Sequence, residues 1–96
     1  MKVNFNKAFT NYKGEAILKD GKEQLIRDVI APVLFDGNWI SSTSPEEKMM
    51  SYDLSCRIYA ADGEVEITTE EASLIKRGAQ ILNAAGYAQI HKLIEG

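Results

Sequence analysis

Val3 and Phe5 alternate with Lys2, Asn4 and Asn6, the two-residue period of a strand buried on one face. Turn-forming residues follow at 11–14, and Ala16, Ile17 and Leu18 make a second short extended run. The N-terminus therefore predicts a hairpin-like pair of strands. The period then lengthens. Leu25, Ile26, Val29, Ile30, Val33 and Leu34 recur as one continuous helical stripe. Asp20, with Glu23 three residues later, fits a capping box at its start, and Asp36-Gly37 fits its end. Pro32 opposes the pattern: it lacks an N–H and clashes with the carbonyl of Asp28, so the helix is expected to kink or end near Ala31.

The polar stretch "NWISSTS" reads as a linker and runs into "SPEEK". There Ser44 fits an N-cap and Pro45 the first helical position, while Glu47 completes a capping box. This second helix is predicted to reach about Tyr59. Met50, Leu54 and Ile58 form one apolar row and Met49, Tyr52, Cys56 and Tyr59 another, so the helix is expected to be covered on two sides. In "DGEVEITTEE", Asp62-Gly63 makes a turn and Val65 and Ile67 alternate with acids. Thr68 with Glu71 then opens a third capped helix. Ala72, Ile75, Ala79 and Leu82 give its core stripe, with Leu74 and Ile81 alongside, and Gly86 fits its C-terminal stop. "YAQIHKLIE" predicts a short last helix with Ile90, Leu93 and Ile94 inward. The fold class is α+β: an N-terminal β-hairpin-like strand pair, with 64–67 available as a third short strand, packed on about four α-helices in one small domain.

Composition bounds the function. Ninety-six residues, 45% apolar and 26% charged, are ordinary for one globular domain. The net charge of −3 opposes a dominant nucleic-acid footprint, which needs a concentrated basic surface. Charge is unevenly spread, however. Lys2, Lys7, Lys13, Lys19 and Lys22 face only Glu15 and Asp20 in the first 22 residues, whereas 46–71 carry eight acids against Lys48 and Arg57. Such segments are either solvated faces or complementary patches for self-association or a basic partner. A single cysteine cannot form an internal disulfide, which favours a reducing, cytoplasmic setting. The first residues lack an apolar signal core, and no apolar run approaches the roughly 20 residues a membrane helix needs.

Candidate chemistry is sparse. Read as an EF-hand loop with Gly63 at position 6, "DGEVEITTEE" places Ile58, Ala60 and Thr69 at ligand positions 1, 3 and 12, so calcium is not expected. Cys56 and His91, the sole cysteine and histidine, fall on separate predicted helices, and Cys56 reads as a buried small hydrophobe. One His and one Cys do not build an ordinary zinc site. The glycines stand singly, without a phosphate loop, and Ser41, Ser42 and Ser44 lack the strand–turn–helix setting of a nucleophile elbow. No catalytic, metal or cofactor-binding residue is assigned, and no cofactor is expected. Trp39 and Ile40 in the linker, with Tyr52 and Tyr59, are the candidate interface residues. Trp39 either lids the core or anchors a partner, and Tyr52, Tyr59 and Tyr87 suit a rim or a core edge equally.

The order "KVNFNKAF…KGE…DGKEQLIRDVIAPVLF", then "PEEKMMSYDLSCRIYAADGEVEITTEEASLIKRG", then "QIHKLIEG" resembles a family of small bacteriophage and prophage proteins. The likeness covers most of the chain and is best over 46–76. Ala84-Ala85-Gly86-Tyr87 departs from the family's aromatic-proline segment. These motifs are caps and core positions, so the resemblance implies a shared fold, with no catalytic residues to carry over and no assigned biochemical role. The expected function is that of a phage-derived, non-enzymatic accessory protein acting through protein–protein contacts, as a homo-oligomer or on another phage or host protein. The alternative is a nucleic-acid-associated regulator using the N-terminal lysines.

Overall fold

The computed structural model describes residues 1–40 and 44–96. Residues 41–43, which include Ser41 and Ser42 and most of the end of the expected linker, lie outside the described residues. The described residues form β1 (Lys2–Asn4), β2 (Leu18–Lys19), β3 (Lys22–Glu23), α1 (Ile26–Asp36), α2 (Pro45–Ala60), β4 (Glu64–Glu66), α3 (Thr69–Ala79) and α4 (Ala84–Glu95). The fold is α+β, four helices with two small antiparallel sheets, as the hydrophobic periods indicate.

The strands pair differently from a simple N-terminal hairpin. β1 pairs with β4, Val3 opposite Val65, so the short strand read at 64–67 is the partner of the first one. The hairpin is β2–β3, and its turn is Asp20-Gly21. Both residues have positive φ, 53° and 79°, as a two-residue type I′ turn requires. Asp20 therefore turns a hairpin rather than capping a helix, and the expected Asp20–Glu23 capping box does not form. The strongest short hairpin signal, Asp-Gly, outweighs the cap reading because left-handed φ is cheap at both residues.

α1 starts later, at Ile26, and Leu25 supplies no side-chain cap. Its first N–H groups find backbone instead: Ile26 donates to the Lys7 carbonyl at 2.8 Å and Arg27 to that of Phe5 at 2.9 Å. The N-terminal segment thus serves as the cap, satisfying donors that would otherwise be orphaned. α1 also runs through Pro32 to Asp36. The expected end near Ala31 does not occur; packing of Ile30, Ala31 and Leu34 into the core outweighs one missing hydrogen bond. Gly37 ends it at φ 63°, donating to the Val33 carbonyl.

α2 meets α1 along a seam of small residues. Ser51 and Ser55 are buried beside Leu54 and Ile58, and the Ser51 hydroxyl donates to the Leu34 carbonyl at 2.6 Å. That carbonyl lies in the last turn of α1, so a side chain from the next helix satisfies it. Ser44 makes no side-chain cap bond, contrary to the expected box, and Pro45 alone marks the start. Thr68 and Glu71 do form their capping box, reciprocally, at 3.1 and 2.8 Å. α3 stops at Ala79, well before Gly86. Asn83 accepts from the Gly86 N–H at 2.8 Å, so Gly86 belongs to the first turn of α4 rather than the end of α3. Ile81 falls in the break and is exposed.

The core gathers Val3, Phe5 and Phe9 from the N-terminus with Ile30, Leu34, Leu54, Ile58, Ile67, Ile75, Ile90 and Ile94. Trp39 roofs it: the indole N–H donates to the Val33 carbonyl at 3.0 Å, and the ring lies flat against α3 at Gly78. A Cβ at Gly78 would stand 2.7 Å from Trp39 Cζ2. Gly78→Ala is accordingly expected to destabilise by about 1 kcal/mol, overpacking exceeding the gain in helix propensity. Urea unfolding and a red shift of Trp39 emission measure it. Pro32→Ala should act oppositely, restoring a donor to the Asp28 carbonyl and raising unfolding free energy by about 1–2 kcal/mol.

Candidate functional site

A groove of about 770 Å³ runs between α1 and α2, lined by Ala31, Pro32, Phe35 and Asp36 on one side and Ser55, Cys56 and Tyr59 on the other. Its origin is the roll of α2. Because Ser51 and Ser55 face α1, the row Met49, Tyr52, Cys56 and Tyr59 turns outward. The expectation that this row is covered, and that Cys56 is buried, is overturned. The helix buries Ser51 and Ser55 with Leu54 and Ile58 and leaves Met49, Tyr52, Cys56 and Tyr59 outward, because serine lets the backbones approach and can give its hydroxyl to a carbonyl.

The exposed side chains are ordered among themselves. The rings of Phe35 and Tyr52 stand 5.5 Å apart, tilted by 45°. The Arg27 guanidinium covers the Tyr59 ring at 5.0 Å from its centroid. Arg27 also meets Asp28, and Asp36 lines the groove. Asp53, on the far flank of the row, lies 3.3 Å from Arg57. Arg57 itself turns toward the body of the protein, pairing with the shielded Glu71 carboxylate and donating to the Glu66 carbonyl. It joins α2, β4 and α3 and leaves the groove to residues of α1 and α2 alone.

Of the four candidate interface residues, Tyr52 and Tyr59 lie on this face. Ile40 is buried, and Trp39 is half-buried as the roof over Gly78. Phe35 and Met49, not singled out from the sequence, belong with the tyrosines. Phe35 stands outside the periodic stripe of α1, and Met49, Tyr52, Cys56 and Tyr59 are spaced 3, 4 and 3 residues apart. Both signals are visible in the sequence, but neither says which side of α2 meets α1.

The other candidate chemistry is dispersed. Cys56 lines the groove, whereas the His91 ring lies 5.7 Å from that of Tyr87, tilted by 42°, within α4. Among the described residues no cluster of His, Cys, Asp and Glu is arranged to hold a metal ion, and no helix is long and apolar enough to cross a membrane. "DGEVEITTEE" is the β4 strand and the capped start of α3. The lysines are divided: Lys2 stands opposite Glu66 in the β1–β4 sheet, while Lys19 and Lys22 face each other across the β2–β3 hairpin.

Two further ion pairs tie the helices together. Arg77 of α3 holds Glu47 of α2 at 2.5 Å, with its guanidinium 6.0 Å from the Trp39 ring centroid. Lys76 holds Glu95 of α4 at 2.8 Å. The hydrogen bond from Arg77 pulls the Glu47 pKa below its ordinary 4.5, and that from Lys76 does the same for Glu95. A depressed folded-state pKa contributes stability above the unfolded value that is lost as pH falls through the folded one. Glu47→Gln combined with Glu95→Gln is therefore expected to flatten the decline in melting temperature below about pH 4.5. Both pairs are exposed, so added salt should shrink the difference between variant and parent.

No protein-family model matches the chain, and no curated protein or solved structure is significantly similar to it.

Proposed function

We propose that this chain is a small, non-enzymatic accessory protein of phage or prophage origin that works by binding protein through its α1–α2 face, in the cytoplasm. The observation that carries this reading is the groove itself. Phe35 and Tyr59 line a cleft with the small residues Ala31, Ser55 and Cys56, Tyr52 stands beside Phe35, and Met49 continues the row, each of the four large residues more than half in water. Aromatic rings and methionine are the residue types that dominate protein interfaces, and isolated exposed apolar residues do not normally gather in this way. The phage origin rests on the resemblance of 46–76 to the prophage family. The partner is a second copy or another phage or host protein, and the reading needs no metal or cofactor.

The nucleic-acid alternative has weaker support. Three of its five lysines are split between two sheets, Lys2 opposite Glu66 and Lys19 and Lys22 in the hairpin with Glu23, and the net charge is −3. Pro32 favours the binding reading in a different way. A proline inside a helix opposes stability, yet it stands exposed on the groove wall, where its rigid ring adds apolar contact area.

A photo-crosslinking residue at Tyr52 tests the proposal in cells that make the protein, with the same residue at Tyr12 as control. Tyr12 is 96% exposed and lies in the turn at 11–14, away from the groove. The expected result is a discrete protein adduct from position 52 and none from position 12. Failure to form an adduct at 52, or equal labelling at both positions, would overturn it.

A further inference from the structure

The spacing of the exposed row on α2 says more than that the face binds protein. Met49, Tyr52, Cys56 and Tyr59 fall on the a, d, a and d positions of two consecutive heptads. That spacing is what one helix presents to another lying nearly parallel or antiparallel to it, and α1 touches only its edge, through Phe35 beside Tyr52 and Arg27 over Tyr59. α1 instead meets Ser51 and Ser55. In the same register, Lys48 occupies a g position and Asp53 an e position. Those are the flanks at which charges pair across a helix–helix seam, and Asp53 is 73% exposed.

Resting on the protein-binding reading above, we infer that the occupant of the groove is the α2 helix of a second copy, parallel to the first and related to it by a two-fold axis. Three features commit the face to this partner. The first is charge. In a parallel pair, a g residue meets the e residue five positions later on the other helix. Lys48 then faces Asp53 of the second copy, and the symmetry makes this contact twice. An antiparallel pair sets g against g and e against e, which leaves Lys48 facing Lys48 or Ser55 and gives no such match.

The second feature is area. Phe35, Met49, Tyr52 and Tyr59 are 62%, 75%, 55% and 61% exposed. At about 150–250 Å² per large side chain they leave roughly 500 Å² of mainly apolar surface in water. Pro32 and Cys56, both exposed, extend it toward the ~800 Å² per partner of a standard stable interface. The third is shape. The groove lies on the α1 side of the row, so a second α2 seated in it would reciprocally offer its own groove to the first α2. The product is a closed four-helix arrangement, with the two α2 helices at the centre and each α1 outside.

Cys56 then stands at an a position next to its own symmetry mate, which makes it a built-in reporter. On purified protein, sedimentation should give a species of twice 10.7 kDa. Mild oxidation should join two chains through Cys56 in high yield at concentrations where Tyr52→Glu, monomeric and folded, gives almost none. Lys48→Glu and Asp53→Lys should each weaken the dimer by roughly ten-fold, since two symmetric contacts are reversed at once. The double exchange should bring the dissociation constant back to within about two-fold of the parent. Restoration by exchange separates a contact across the interface from loss of the Asp53–Arg57 contact within one chain. A dimer that neither cross-links at Cys56 nor responds to the exchange overturns the parallel seam and leaves the protein-binding reading standing. A monomer at every concentration tested overturns self-association, and the mass of any Tyr52 adduct in cells then shows whether the face binds a different protein.

Discussion

The roll of α2 against α1 decides most of what this protein presents to its surroundings. Two serines, Ser51 and Ser55, occupy the contact, and one gives its hydroxyl to the Leu34 carbonyl in the last turn of α1. A hydrogen bond of this kind contributes about 1 kcal/mol, but leaving a buried carbonyl unmet would cost more. Leu54 and Ile58 follow into the core from the same side of the helix. Once those four positions face inward, the 3.6-residue turn places Met49, Tyr52, Cys56 and Tyr59 outward. The exposed face is the geometric remainder of a well-satisfied buried one.

The N-terminal segment holds the other end of α1. Phe5 and Lys7 supply carbonyls to its first N–H groups, Val3 and Phe5 fill the core, and β1 completes a sheet with β4. Further along, Thr10 exchanges two backbone hydrogen bonds with the Gln89 side chain, at 2.9 and 2.8 Å, which fastens α4 to the same segment. One short stretch of chain thus caps a helix, pairs with a strand and docks another helix. Contacts spanning most of the sequence stand in for the long core that 96 residues cannot supply.

Against this economy, Pro32 and the exposed aromatic row stand out. Proline inside α1 weakens the helix, and large apolar side chains left in water gain nothing for the isolated chain. Both features border one groove. Where local choices oppose stability together in one place, a role beyond folding is the simplest physical account of them.

Several elements were legible from residue types alone, because their causes are local. The Thr68–Glu71 box needs only two side chains and one turn of helix, and Asp36-Gly37 ends α1 through a left-handed φ that glycine adopts freely. The periodicity of 25–34 likewise indicates a helix and its inward face. Other signals were present but ambiguous. Asp20 fits a helix cap as well as a hairpin turn, and "NAAG" fits the start of α4 as well as the end of α3. The backbone partners at Phe9, Ile17 and Gln24 settle the first, and Asn83 the second. The identity of the exposed face was not legible at all. Sequence sets which residues of α2 share a row. Which row is buried depends on the helix that arrives beside it, and here the face with Leu54, Ile58 and two serines, one of them meeting an α1 carbonyl, prevailed over the row of Met49, Tyr52, Cys56 and Tyr59.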